Sequence, residues 1–129
     1  MLRKRVLIAD DDREMRGLVR QLLESLDVEV QEVESGAALV SHLADADDFD
    51  LVVTDVLMPW LSGSQAVRMA RSAGFRFPVM VITAFADHDL KHQISRIQGA
   101  RLVEKPFDPD DFIAKAQEML GIAEPAVTA

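Results

Sequence analysis

At 129 residues, with 49% hydrophobic and 28% charged side chains, the chain is sized for one domain that buries its own core, and this balance excludes an intrinsically disordered protein. It contains no cysteine, which excludes disulfides and thiolate metal sites. A formal net charge of -8 excludes a surface that grips nucleic acid through clustered cations, so direct DNA binding is not expected of this chain.

The elements follow in regular order. After the basic start MLRKR, the apolar run is too short for a signal peptide and ends in three aspartates. No later segment is long and apolar enough to span a bilayer, so a cytoplasmic protein without membrane attachment is expected. Arg5 to Ala9 (RVLIA) reads as a strand emptying into Asp10, Asp11 and Asp12. Met15, Leu18, Val19, Leu22, Leu23 and Leu26 then form the stripe of an amphipathic helix, with Asp12 placed to cap its first turn. Val28 to Val33 alternates apolar with acidic or amide residues, as in a strand with one less buried face. Ser35 and Gly36 open a second helix carrying Ala38, Leu39 and Leu43, and the acidic run from Asp45 to Asp50 is a surface loop.

Leu51 to Thr54 is a continuous apolar or β-branched run leading straight into Asp55 and then a loop with Pro59 and Gly63. Such a run without alternation suits a strand covered on both faces. A third helix carries Ala66, Val67, Met69 and Ala70 and stops near Gly74. Val79 to Thr83 (VMVIT) is the fourth strand, and Asp87 to Gln98 the fourth helix, with Leu90, Ile94 and Ile97 on one face and Gly99 as its stop. Arg101 to Glu104 is a short fifth strand ending at Lys105-Pro106. Asp108 caps a fifth helix with Pro109 in its first turn, and Phe112, Ile113, Ala116, Met119 and Leu120 form its buried face. Strand and helix thus alternate five times. That order predicts an α/β fold, a five-stranded parallel sheet with helices on both faces, as one domain over 1–121 with a frayed tail or linker start over 122–129.

In such a sheet the ends of four strands deliver Asp10 and Asp11, Asp55, Thr83 and Lys105 to one edge, where ligands of open α/β sheets bind. Crowded carboxylates raise one another's pKa unless a cation joins them. With oxygen ligands alone and no histidine or cysteine beside them, the pattern favours Mg²⁺ over Zn²⁺. Lys105 and Thr83 add a cation and a hydroxyl donor, so the set reads as a receptor for a phosphoryl group with one carboxylate as nucleophile. Neither GxGxxG nor GxxxxGK[ST] occurs, which argues against nucleotide binding by those loops.

Four motifs carry a family resemblance: DD after the first strand, D-x-x-M-P-x-x-x-G after the third, T-A after the fourth and K-P-F after the fifth. From Val6 to about Leu120 the chain resembles the receiver domain of two-component response regulators, the flavodoxin-like (βα)5 fold of the chemotaxis regulator. The resemblance implies that Asp55 accepts a phosphoryl group from a sensor histidine kinase or histidine phosphotransfer protein. It implies Mg²⁺ held by Asp11 directly, by Asp10 through water, by Asp55 and by the Leu57 backbone carbonyl. Thr83 and Lys105 would bind the phosphoryl oxygens, Ala84 would leave room for the donor, and the Lys105-Pro106 bond would be cis. It further implies no enzymatic activity beyond the chain's own phosphorylation and slow dephosphorylation, an effector face on the fourth helix, fifth strand and fifth helix, and homodimerisation on phosphorylation as one outcome.

Three positions depart from the family pattern. Leu102 stands where an aromatic three residues before the lysine usually reports the threonine's movement, so the signal is expected to pass instead through the segment from Thr83 to Leu90. Leu57 and Phe85, flanking the phosphoryl position, are apolar and cannot orient water, which predicts slow self-dephosphorylation. Two other readings stand beside the receiver. An aspartate-nucleophile small-molecule phosphatase would usually need a second aspartate where Leu57 stands, and a non-phosphorylated binding module is disfavoured because no Asp, Thr or Lys is missing. His88 and His92, four apart, are expected to face solvent because no third metal ligand accompanies them. Trp60, just past the Asp55 loop, reads equally as a partner contact or as loop packing. The output is not legible: the few residues after the fifth helix fit a stand-alone regulator or the receiver part of a longer protein.

Overall fold

The computed structural model describes residues 3–44, 49–55, 68, 71, 72, 74 and 77–122. Within them five strands, β1 (Arg5–Ala9), β2 (Glu29–Val33), β3 (Leu51–Asp55), β4 (Val79–Thr83) and β5 (Ala100–Glu104), form one sheet in the order β2-β1-β3-β4-β5. Every neighbouring pair is parallel, as the alternation of elements predicts. The helices α1 (Arg13–Glu24), α2 (Gly36–Ala44), α3 (His88–Ser95) and α4 (Pro109–Leu120) follow β1, β2, β4 and β5. Of the predicted third helix, Ala66, Val67, Met69 and Ala70 lie outside the described residues, while Arg68, Arg71 and Ser72 are helical.

The three inner strands are why their sequences lack alternation. All five residues of β3 and of β4 are buried, and successive side chains feed opposite faces. On one face Leu7, Val52, Val79 and Val81 meet Leu39 of α2 and Ile94 of α3. On the other Val6, Ile8, Leu51, Val53, Met80 and Ile82 meet Val19 and Leu23 of α1 and Phe112, Ala116 and Leu120 of α4. Helices therefore cover both faces, and the edge strand β2 keeps its glutamates exposed.

Each helix start has a local cause. The Asp12 side chain accepts from the backbone amides of Glu14 and Met15, Asp87 from Leu90, and Asp108 from Asp110, so three aspartates satisfy amides that a first turn leaves unpaired. The predicted caps at Asp12 and Asp108 and the first-turn Pro109 hold. Two expectations need correction. Leu18, included in the first helix's buried stripe, is 41% exposed, because it sits about 100° around the helix from the buried Val19. The fourth predicted helix, drawn to Gln98, ends at Ser95: the Arg96 amide turns back to the Gln93 and Ile94 carbonyls, and Gly99 at φ 78° bends the chain into β5. The Lys105-Pro106 bond is cis, as expected.

Candidate functional site

The sheet register assembles the site. Ala9 lies opposite Thr54, so Asp10 emerges beside Asp55 where the strand order reverses between β1 and β3. Asp55 lies opposite Ile82 and Thr83 opposite Glu104, so Thr83 and Lys105 each reach one residue further, stepping across the same edge. The Lys105 amide donates to the Thr83 carbonyl at 2.7 Å and ties the last two strand ends together.

Side chains converge there. Carboxylate oxygens of Asp10, Asp11 and Asp55 all lie within 4.8 Å of one another. Asp10 and Asp55 are buried, 4% and 8% exposed, while Asp11 is exposed. The Lys105 Nζ stands 3.5 Å from Asp55 Oδ2 and 3.8 Å from Asp10 Oδ2, bridging the two buried acids. Among the described residues one ammonium faces two buried carboxylates, which leaves the cluster net negative. Burial is the main cause that pushes the Asp10 carboxyl up to about 6, with the charges of Asp55 and Asp11 acting the same way. Two influences oppose it: the Asp12 amide donating to Asp10 Oδ1 at 2.8 Å and the Lys105 charge. All-oxygen donors at this spacing, two of them buried and short of positive charge, fit a hard divalent cation.

Thr83 is buried, and its hydroxyl is already engaged: it donates to the Phe85 carbonyl and accepts from the Phe85 amide, both at 3.2 Å. Phe85 itself is 74% exposed, an exposure that its apolar character concealed. Leu102 is half-buried and packs against the core face shared with α3, away from any polar role. His88 and His92 are exposed, in line with their reading as solvent-facing. Leu57, whose carbonyl is part of the expected metal set, lies outside the described residues, as do Met58 and Trp60.

One supporting residue escaped sequence reasoning. Arg16 Nη1 donates to the Asp10 carbonyl at 2.7 Å, while its Nε reaches Glu32 on β2 at 3.3 Å. It holds the β1–α1 turn that presents Asp10 and Asp11. Its position four residues after the Asp12 cap was a signal for the near side of this contact, but Glu32 is reached only through the β1–β2 pairing.

The response regulator receiver domain family matches residues 6–117 of this sequence, which includes every member of the cluster. The chain belongs to that family. It is thus a receiver of the kind found in two-component response regulators, and the phosphoacceptor chemistry of that class is consistent with its geometry. The response regulator receiver protein CpdR of Brucella abortus is 31% identical over 117 residues, spanning 91% of this receiver and 97% of CpdR. The transcriptional regulatory protein FixJ of Bradyrhizobium diazoefficiens is 29% identical over 121 residues, and the match spans 94% of the receiver but only 58% of FixJ. In fold the receiver resembles a CheY-like receiver domain protein from Methanospirillum hungatei, with a TM-score of 0.84 at 24% identity over 94% of this chain and 95% of that one. Among the described residues no helix is long and apolar enough to cross a membrane.

Proposed function

We propose that Asp55 is the phosphoacceptor of a cytoplasmic receiver that takes its phosphoryl group from a phosphohistidine on a sensor kinase or phosphotransfer protein. The observation that carries this reading is a buried carboxylate at the end of the central strand, 3.5 Å from a lysine ammonium and grouped with two further acids. An Asp55 carboxylate oxygen attacks phosphorus, the phosphorus–nitrogen bond breaks, and the electron pair leaves with the imidazole of the donor. Lys105, shared between Asp10 and Asp55, follows the incoming charge and pairs with a phosphoryl oxygen. Thr83 breaks its hydroxyl bond to the Phe85 carbonyl and donates to another.

Asp10, Asp11 and Asp55, with the Leu57 carbonyl, would hold Mg²⁺, which supplies the positive charge that the acidic cluster and a phosphoryl group together need. The chain acts on no substrate beyond this transfer and its own slow hydrolysis. The phosphorylated receiver presents α3, β5 and α4 to an effector or to a second copy of itself, and the domain unit is 1–121.

The test is intact mass after incubation with Mg²⁺ and a small acyl-phosphate donor, beside Asp55→Asn and a sample with chelator. One added phosphoryl group, absent from both controls, is expected. An adduct that persists in Asp55→Asn, or no adduct under conditions where a beryllofluoride complex also fails to form, refutes the assignment.

A further inference from the structure

We infer that the cleft between Arg68, Arg71 and Ser72 on one side and α3 on the other binds an acidic segment of a partner protein, gripped by Arg68 and Arg96. The cleft has a volume of about 580 Å³, within the range of specific ligand sites. Arg68, Arg71 and Ser72 line it from one element, and His92, Arg96 and Gln98 from α3 and the turn behind it. No carboxylate lines it among the described residues. The contrast with the rest of the molecule is what gives this weight. Acids outnumber Lys and Arg by 22 to 14 in the chain, yet three of those cations gather in one concavity. Concentrating like charge there costs free energy unless something anionic repays it.

The three arginines differ in role. Arg71 is committed to the fold: its Nη2 donates to the Phe77 carbonyl at 2.6 Å and the Gln98 carbonyl at 3.0 Å, and its guanidinium lies 5.2 Å from the Phe77 ring centroid. It fixes a positive charge beside the cleft and joins its two sides. Arg68 and Arg96 are exposed, and among the described residues neither makes an ion pair. Their planar forks are free to take carboxylates bidentately. The rest of the lining decides between anions. No phenylalanine, tyrosine or tryptophan lines the cleft among the described residues, so the exposed His92 imidazole is its single ring and the cleft lacks the paired aromatic platform that would sandwich a nucleotide base. Exposed Ser72, His92 and Gln93 and half-buried Ile97 offer instead the mixed polar and apolar contacts that an extended peptide uses. The occupant is therefore a segment with at least two Asp or Glu side chains. The lining is separate from the Asp55 cluster and is already assembled in the unphosphorylated protein.

Fluorescein-labelled hexaglutamate, with hexaglutamine as neutral control, tests this on the full chain at low ionic strength and pH 7.5. Anisotropy should rise saturably for hexaglutamate alone. Backbone amide shifts should gather on 71–72 and 92–98, and added salt should weaken the complex. The Arg68→Gln/Arg96→Gln double variant, at two exposed positions, should weaken binding about tenfold or more while amide signals elsewhere stay in place. Each of the following overturns the inference: no saturable binding, undiminished binding by the double variant, or shifts that gather around Arg3 to Arg5 or Lys105 instead. Inorganic pyrophosphate binding as tightly as the peptide and displacing it would make the cleft a small-anion site and would also overturn it.

Discussion

Replacing Asp10 by Asn should stabilise the metal-free protein at neutral pH, although it removes an ion-pair partner of Lys105. Asp10 is 4% exposed, and its carboxyl is pushed from 3.8 up to about 6, with burial as the largest cause. Holding its charged form in the folded state therefore costs about 3 kcal/mol at pH 7, after the help of Lys105 and the Asp12 amide is included. The sign follows from proton counting. Between about pH 4 and 6 the folded state keeps a proton that the unfolded chain has lost, so this group's contribution to stability falls as pH rises through that window. Asn keeps an oxygen for the Asp12 amide and never ionises. The stability difference between variant and parent should thus be near zero below pH 4 and grow to about 2–3 kcal/mol above pH 6.5, a shift of about 1 M or more in the urea midpoint at unchanged slope. Urea titrations in chelator across this range measure it directly. With Mg²⁺ added, the parent should gain stability by mass action and the variant far less. An Asn variant less stable than the parent at pH 7.5 without metal would show that the Asp10–Lys105 pair outweighs burial, and would refute the reasoning.

Replacing Leu57 by Asn together with Phe85 by Glu should speed loss of the phosphoryl group several-fold, since groups able to orient water then flank it; unchanged decay of the phosphorylated mass would refute this. Asp108→Ala should lower stability by about 1 kcal/mol, because the Asp110 amide loses its cap, and thermal melts should show a fall of a few degrees. Hydrogen exchange of the phosphorylated or beryllofluoride-bound form should differ from that of the free form in the segment from Thr83 to Leu90, and identical exchange there would remove the proposed route of signalling.

Much of the fold was legible because its signals are local. β1 and β4 run from Arg5 to Ala9 and from Val79 to Thr83, the predicted bounds, because the unbroken apolar runs Val6 to Ala9 and Val79 to Ile82 mark strands buried on both faces, with a single polar residue at one end of each. The site was legible for a related reason. Parallel strands place their carboxyl ends on one edge, so identifying the strands located Asp10, Asp55, Thr83 and Lys105 together. What stayed hidden depends on distance or angle. Leu18 has the right residue type in nearly the right place and fails by its position around the helix. Arg16 meets Glu32 only through a strand pairing that no local pattern encodes. The cationic cleft joins Arg68 and Arg71 with Arg96, and its charges are unremarkable when counted along the chain.

The exposed Phe85 and the engaged Thr83 together bear on how a modified Asp55 is sensed. Thr83 closes a small turn by holding both the amide and the carbonyl of Phe85, and two residues later Asp87 caps α3 through the Leu90 amide. A hydroxyl drawn to a phosphoryl oxygen must give up the Phe85 carbonyl, which loosens a turn directly connected to that cap. In a receiver with an aromatic three residues before the lysine, the space vacated by the threonine can be filled by a ring. Here Leu102 is packed against the core and carries no polar tip to exchange partners. The energy of the new bond is then available chiefly to the backbone of the 84–87 loop. By this route the first element expected to move is α3, one wall of the arginine cleft and the start of the α3, β5 and α4 face.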